Sequence, residues 1–306
     1  MMPISFAASA LVLAGLLTST FLLMGRGGPS TLTPPSNDIM VIHVDEDPTT
    51  TGFGGRHLQT STRKFKVLER VGHDGTSFVQ GLSYGDDGKV YETTGLYGQS
   101  KVRRINPITF EVELSVDMDD RYFGEGSTYY RDANGNGRLI VLTWRERTGF
   151  IYGTKKLRKL REFKYRTTSP NHEGWGIAYD ASREEFAVSD GTKFLYFWDR
   201  DTLAVKRKVT VTRLNGDEQG DLNELAYVDG LVCCNIWYSD HIICVDPLSG
   251  KSVREYDMSS LYPVSQGRDP DNVLNGIAVG VDHVLLTGKN WDRMYKVKFT
   301  DWPTLF

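Results

Sequence analysis

The chain has 306 residues, of which 40% are hydrophobic and 25% are charged, as is ordinary for a globular protein. A formal net charge of −3 gives no overall positive field, so nucleic-acid binding is not expected, and membrane contact is expected only through the N-terminal segment. The 31 glycines and 15 tyrosines suit many short strands joined by tight turns.

Residues 4–24 are apolar apart from Ser and Thr and carry no charge, which is long enough to cross a bilayer. We assign residues 1–24 as a signal anchor or a signal peptide, and we favour the transmembrane anchor because no small-x-small cleavage pattern follows. Both alternatives predict the secretory pathway, with the body of the protein in the lumen of the ER or Golgi or secreted. Arg26 follows the segment and no Lys or Arg precedes it, so charge does not define its orientation.

Residues 25–61 are rich in Pro, Thr and Gly and predict a flexible stem. From residue 62 to residue 306 the chain changes to short apolar and aromatic runs separated by Gly, Asp and Asn. No long helical periodicity occurs there, so we predict an all-β domain.

A repeat organises this domain. Five segments begin with a polar or aromatic residue, continue with Gly (once Glu) and two small or aliphatic residues, and usually end in Tyr. They occupy residues 80–84, 125–129, 175–179, 223–227 and 275–279. A period near 50 residues among predicted strands is typical of propeller blades, so we predict a five-bladed β-propeller.

The fifth repeat ends after its third strand. The run from residue 64 to residue 70 supplies a further strand, which we expect to complete the last blade and to protect its edge. A two-sheet sandwich is the alternative, but it accounts neither for the period nor for the incomplete last unit.

Three cysteines are too few for a disulfide framework. At most one disulfide bridge is expected, across a predicted hairpin, and the favoured pair is Cys234 with Cys244. The alternative is that all three are buried small hydrophobic residues.

The first residue of each repeat is expected to face the central channel. These five positions, together with aromatic residues and one lysine at equivalent places in successive blades, form the candidate site. The candidates are Phe78, Gln80, Phe123, Glu125, Trp144, Trp175, Asn223, Trp237, Asn275 and Lys289. Aromatic residues around a carboxyl group describe a pocket for a small, largely neutral group and are expected to raise the pKa of Glu125 by desolvation.

Other chemistries find little support. The sequence has no phosphate-binding loop, nucleophile elbow or dinucleotide fingerprint, and its six histidines lack zinc-ligand spacing. We therefore predict no metal site and no cofactor for catalysis. A structural calcium ion is left open and is not predicted.

Eight short runs together resemble the plant and bacterial type of glutaminyl cyclase (glutaminyl-peptide cyclotransferase). They are FVQGL at 78–82, TGLYGQS at 94–100, YFGEG at 122–126, GWG at 174–176, LNEL at 222–225, NIW at 235–237, LNGIA at 274–278 and TGK at 287–289. The resemblance extends from about residue 63 to residue 300. It implies a five-bladed propeller that converts the N-terminal glutamine of peptides and proteins to pyroglutamate.

The resemblance also implies roles. Glu125 is the expected catalytic acid and base, with Asn223 and Lys289 as polar partners, and no metal is required. The expected substrate-binding residues are Phe78, Gln80, Phe123, Trp144, Trp175, Trp237 and Asn275.

Two alternatives belong to other functional classes. One is a non-catalytic propeller that binds peptide N-termini or glycans in the same pocket. The other is a calcium-dependent lactonase-like propeller, which needs more acidic residues in the channel than Glu125 alone. The expected partners are peptides with N-terminal glutamine, and a monomer is expected.

Overall fold

The computed structural model describes residues 65–302, which are almost entirely β-structure. The strands are β1 (Phe65–Gly72), β2 (Val79–Tyr84), β3 (Val90–Thr94), β4 (Lys101–Ile105), β5 (Val112–Asp117), β6 (Gly124–Arg131), β7 (Gly137–Thr143), β8 (Thr148–Gly153), β9 (Arg158–Lys164), β10 (Ile177–Asp180), β11 (Glu185–Val188), β12 (Phe194–Asp199), β13 (Val205–Thr210), β14 (Leu222–Val228), β15 (Leu231–Ile236), β16 (His241–Val245), β17 (Ser252–Asp257), β18 (Leu274–Val279), β19 (Val284–Gly288) and β20 (Arg293–Phe299). Within this range the only helical element is a 3-10 turn at Val264–Gln266.

These strands form five antiparallel four-stranded sheets, each built from strands consecutive in the chain except the last. The innermost strands β2, β6, β10, β14 and β18 contact one another in sequence, and β18 contacts β2, so the sheets form a ring. The predicted five-bladed β-propeller is confirmed. We number blades 1 to 5 from the sheet that begins with β2.

Blade 5 takes its outer strand from the beginning of the described chain. Strand β1 pairs antiparallel with β20, from Phe65 opposite Phe299 to Gly72 opposite Arg293. This strand occupies the place that the incomplete fifth repeat leaves empty, and it covers the outer edge of β20 with a full set of strand partners.

The hydrophobic core is divided into five clusters, each made by two neighbouring blades. The cluster between blades 4 and 5, for example, packs Tyr256 and Ile242 against Trp291 and Phe299. Adjacent sheets are thus joined face to face around the ring, which leaves the innermost strands to define the central channel.

Glycine recurs in the repeats because the inner strands approach one another closely at the channel. A Cβ atom on Gly81 would lie 2.3 Å from the backbone nitrogen of Ser127. On Gly126 and Gly176 it would lie 2.4 Å and 2.1 Å from a carbonyl oxygen of the next blade. The inner strands therefore approach too closely for any side chain here.

Blade 4 carries Glu224 where the other repeats have glycine. Its carboxyl group accepts hydrogen bonds from the backbone N–H of Leu82 in blade 1 (3.0 Å) and of Ile277 in blade 5 (2.8 Å). Because blade 1 is not a neighbour of blade 4, this side chain reaches across the channel and ties three blades together.

The cysteine pairing predicted from the sequence is wrong. The disulfide joins Cys233 to Cys244, and Cys234 is free and buried. Cys233 lies directly opposite Cys244 in the β15–β16 ladder, so both side chains point to the same face. Cys234, the next residue along the strand, points to the other face and into the core between blades 3 and 4.

The predicted signal segment (1–24) and stem (25–61) lie outside the described residues, as do the first residues of the predicted propeller domain. Residues 65–302 contain no helix with the length and hydrophobicity that a membrane span requires. The assignment of residues 1–24, the secretory location, the domain boundaries and the monomeric state remain predictions.

Candidate active site

Irregularities in the inner strands present the candidate residues. The pairing of β2 with β3 shifts register between Val79 and Gly81, and equivalent shifts interrupt the pairing of β6, β14 and β18 with the strands that follow them. The interrupted positions hold Gln80, Glu125, Asn223 and Asn275, which are the first positions of four repeats. Because a bulge removes a residue from regular pairing and redirects its side chain, the same local feature recurs where each blade meets the channel.

Three of these side chains form a hydrogen-bonded chain. Asn275 Nδ2 donates to the backbone oxygen of Val79 (2.9 Å) and to Gln80 Oε1 (3.1 Å). Gln80 Nε2 in turn donates to Glu125 Oε1 (3.2 Å). Because Gln80 Oε1 accepts the hydrogen bond from Asn275, the Gln80 amide nitrogen is directed at the Glu125 carboxyl group. Asn275 is completely buried, and its hydrogen bond to Gln80 connects it with Glu125.

Glu125 and Lys289 are both 5% exposed. Burial raises the pKa of the Glu125 carboxyl well above its ordinary value, and the nearby Lys289 charge only partly opposes this shift. Burial likewise lowers the pKa of Lys289, while the Glu125 charge opposes the change. The pair therefore combines a carboxyl that holds a proton unusually well with an amine that releases one more easily than usual.

Aromatic side chains surround this pair. Phe123 packs edge-on against Phe78 with ring centres 6.2 Å apart, and it lies 5.4 Å from the Trp144 ring. The Lys289 ammonium lies 4.8 Å from the centre of the Phe78 ring. A second group consists of Trp175 and Trp237, which pack edge-on at 5.4 Å. These five aromatic residues are partly exposed and the polar residues between them are buried, so together they describe a cup.

Asn223 is buried, and its carboxamide has no hydrogen-bond partner among residues 65–302. Its backbone oxygen accepts the Ser189 hydroxyl (2.6 Å) and stands against Gly176. The backbone is therefore fixed, while the side-chain amide is available to a bound molecule.

Glu173 is a site residue that the sequence did not reveal. It is 8% exposed and accepts hydrogen bonds from Trp175 Nε1 (2.9 Å), Arg145 Nε (2.8 Å) and Asn171 Nδ2 (3.0 Å). Burial acts to raise the pKa of Glu173, but these hydrogen bonds outweigh it and lower the pKa. Because the Arg145 guanidinium also stacks 3.7 Å over the Trp144 ring, Glu173 connects Trp144 with Trp175.

Tyr97 is a second unpredicted neighbour. Its ring packs edge-on against Phe123 at 5.4 Å, and its hydroxyl donates to Glu146 Oε1 (2.7 Å). Tyr97 lies in the TGLYGQS run but outside the repeat, so periodicity gave no reason to select it.

No group of three or more His, Cys, Asp or Glu side chains within residues 65–302 is placed to hold a metal ion.

Fold and pocket together define a class: five-bladed β-propellers in which a buried carboxyl group and a buried lysine lie beneath aromatic side chains at the channel. The family model described as glutamine cyclotransferase matches residues 41–299. Over 250 residues the chain is 36% identical to the glutaminyl-peptide cyclotransferase of Arabidopsis thaliana, covering 80% of this chain and 74% of the relative. It therefore belongs to the glutamine cyclotransferase family, and the resemblance read from its motifs is confirmed.

A solved structure agrees. The crystal structure of Myxococcus xanthus glutaminyl cyclase matches with a TM-score of 0.68 at 29% sequence identity, covering 78% of this chain and 97% of that one.

Proposed function

We propose that this protein is a glutaminyl-peptide cyclotransferase that converts N-terminal glutamine to pyroglutamate without a metal ion. The observation that carries the proposal is the pairing of buried Glu125 with buried Lys289 inside the aromatic cup. Membership of the glutamine cyclotransferase family and similarity to the Arabidopsis and Myxococcus proteins support it.

In the proposed reaction the α-amino nitrogen attacks the side-chain carbonyl carbon of the same glutamine. A C–N bond forms, the original C–NH₂ bond breaks, and ammonia leaves. Because the nucleophile is tethered to the electrophile, the protein needs only to select the ring-closing conformer and to manage charge and protons. The aromatic cup suits the first task, since it confines a small side chain on several faces.

Glu125 suits the second task. As a carboxylate it takes a proton from the attacking amine, and as an acid it returns that proton to the departing nitrogen. A raised pKa makes the protonated form easier to reach, so the same group can both accept and return a proton. Gln80, held by Asn275, donates to one carboxyl oxygen and so restricts the orientation of the group.

Lys289 and Asn223 are proposed to stabilise the oxyanion that forms on the attacked carbonyl. Both are polar donors in buried surroundings, where a hydrogen bond to developing charge is stronger than in water. The Asn223 amide, which has no protein partner among residues 65–302, is free for this interaction.

A propeller that only captures peptide N-termini or glycans is the competing function. A pocket that only captured the α-ammonium group of a peptide would be served best by a fully ionised carboxylate, whereas burial favours the neutral form of Glu125 and the Lys289 cation lies nearby. This observation favours catalysis over capture.

The direct test incubates purified protein with a peptide that begins with glutamine and follows the loss of ammonia by mass, with and without a chelator. We expect conversion in both samples. Conversion that stops with the chelator would contradict the metal-independent mechanism, and binding without a mass change would support the capture function.

Replacing Lys289 by Met is expected to lower kcat by about 10²-fold, because an oxyanion donor is lost. It also removes the cation that lowers the pKa of Glu125, so that pKa rises further. Since Glu125 must be unprotonated to accept the amine proton, the acid limb of the kcat/KM profile moves to higher pH. Profiles of wild type and Lys289→Met between about pH 5 and 9 test this. Exposed Lys208 on β13, changed to Met, is the control, and an unmoved acid limb would contradict the pairing.

A further inference from the structure

An open groove of about 570 Å³ lies on blade 2 beside the aromatic cup. Its lining residues are Glu146, Arg147, Lys164, Tyr165 and Arg166. Two short segments form its walls: the turn that joins β7 to β8, and the chain that leaves the end of β9. None of these residues has a role in the proposed chemistry.

The groove is connected to the cup through shared residues. Glu146 in the groove accepts the Tyr97 hydroxyl, and the Tyr97 ring packs on Phe123 of the cup. Trp144 of the cup lies in the same β7–β8 turn, two residues before Glu146, and also packs on Phe123. The cup and the groove therefore adjoin at Tyr97 and Trp144.

The groove is positively charged, although the chain as a whole carries −3. Arg147 and Arg166 are exposed, and neither guanidinium has an ion-pair partner among residues 65–302. Lys164 donates to Thr148 Oγ1 (2.5 Å) and lies 3.4 Å from Glu162. Glu146 supplies the only negative charge in the lining, and one of its oxygens already accepts Tyr97.

Strand β9 extends this charge along the outer edge of blade 2. Its exposed side chains include Arg158, Lys159 and Arg161. Unpaired guanidinium groups bind carboxylates through two parallel hydrogen bonds, and their field attracts anionic chains from solution.

We propose that this groove receives the residues that follow the N-terminal glutamine of a substrate, and that Arg147, Lys164 and Arg166 select acidic side chains among them. The proposal rests on the proposed cyclotransferase function and adds a substrate class to it. In the proposed reaction the N-terminal glutamine lies in the cup, so the rest of a peptide must leave across its rim. Two sides of the rim differ in character. Trp237 and Tyr238 present an aromatic surface, whereas the side on blade 2 presents positive charge.

The test compares kcat/KM for two isosteric peptides, Gln-Gly-Glu-Glu-Gly and Gln-Gly-Gln-Gln-Gly. We expect wild type to prefer the acidic peptide by about fivefold at low salt, and the preference to fall as salt rises. In the double variant Arg147→Gln/Arg166→Gln the ratio is expected to fall to about one. Because both peptides are measured with the same variant, any general loss of activity caused by the substitutions cancels in the ratio.

A matched control removes the same charge from the other end of β9. Lys155 and Lys156 are exposed, and their ammonium groups have no partner among residues 65–302, so Lys155→Gln/Lys156→Gln is expected to keep the wild-type ratio. A ratio near one in wild type, or an equal loss in both double variants, would overturn the groove assignment.

Binding of the same peptides to Glu125→Gln, by titration calorimetry, separates the two proposals. If wild type converts neither peptide, the cyclotransferase function fails. Calorimetry then decides the groove proposal on its own: Glu125→Gln is expected to bind the acidic peptide more tightly, and this preference is expected to be lost when Arg147→Gln and Arg166→Gln are added. Equal affinities for both peptides would overturn the groove even if conversion is normal.

Discussion

Glu125→Gln is expected to lower kcat by about 10³-fold while folding and affinity for glutamine peptides stay close to wild type. The substitution removes the group that carries the proton but keeps its shape and one acceptor oxygen, so the hydrogen bond from Gln80 is retained. It also removes an ionisable group from a buried position, where desolvation opposes its charge. Ammonia release measures kcat, and calorimetry measures peptide affinity.

The control for this variant is Glu111→Gln, at an exposed carboxylate in the turn before β5. It is expected to behave as wild type. Turnover by Glu125→Gln within a few fold of wild type would remove the proposed acid–base mechanism. A parallel loss of affinity and thermal stability would show instead that the residue is mainly structural.

Glu224→Gly is expected to destabilise the propeller by about 2–6 kcal/mol, even though glycine is the residue that the other four repeats carry. The two oxygens of the carboxyl group accept the backbone N–H groups of Leu82 and Ile277. Both donors are buried, and each one left without an acceptor is unfavourable by about 1–3 kcal/mol. Glu224→Gln keeps a single acceptor oxygen and is expected to lie between wild type and the glycine variant.

Urea unfolding and melting temperature measure this effect, with a fall of about 2–4 °C for each kcal/mol lost in a domain of this size. Glu111→Ala serves as the exposed control. A melting temperature for Glu224→Gly equal to that of wild type would contradict the argument, because it would mean that water or a rearranged backbone satisfies both N–H groups.

The repeat made the fold predictable, and the reason is steric. Inner strands that approach one another at the channel exclude a Cβ atom, as Gly81, Gly126 and Gly176 show, so glycine recurs at one position in every closely packed blade. The adjacent bulge makes the preceding residue a channel residue, which is why the first positions of the repeats included Gln80 and Glu125.

Two residues whose roles became clear only in the folded chain are Glu173 in the site and Glu224 between the blades. Glu173 lies in the segment between blades 2 and 3, and its importance follows from three donors that only the folded chain brings to it. Glu224 was visible as an exception to the glycine rule, but its partners belong to strands that are distant in sequence. The error in the cysteine pairing has the same origin, since a shift of one residue in strand register exchanges the two faces of a sheet.

The pairing of β1 with β20 has a consequence for the order of folding. The other four blades each consist of one continuous stretch of chain, so each can form as soon as its own residues are available. Phe65 must instead wait until Phe299 has been made, after the strands of the other four blades. Strand β1 is therefore the last strand of the propeller to acquire its partner, and a nascent chain carries it unpaired while the other four blades are made.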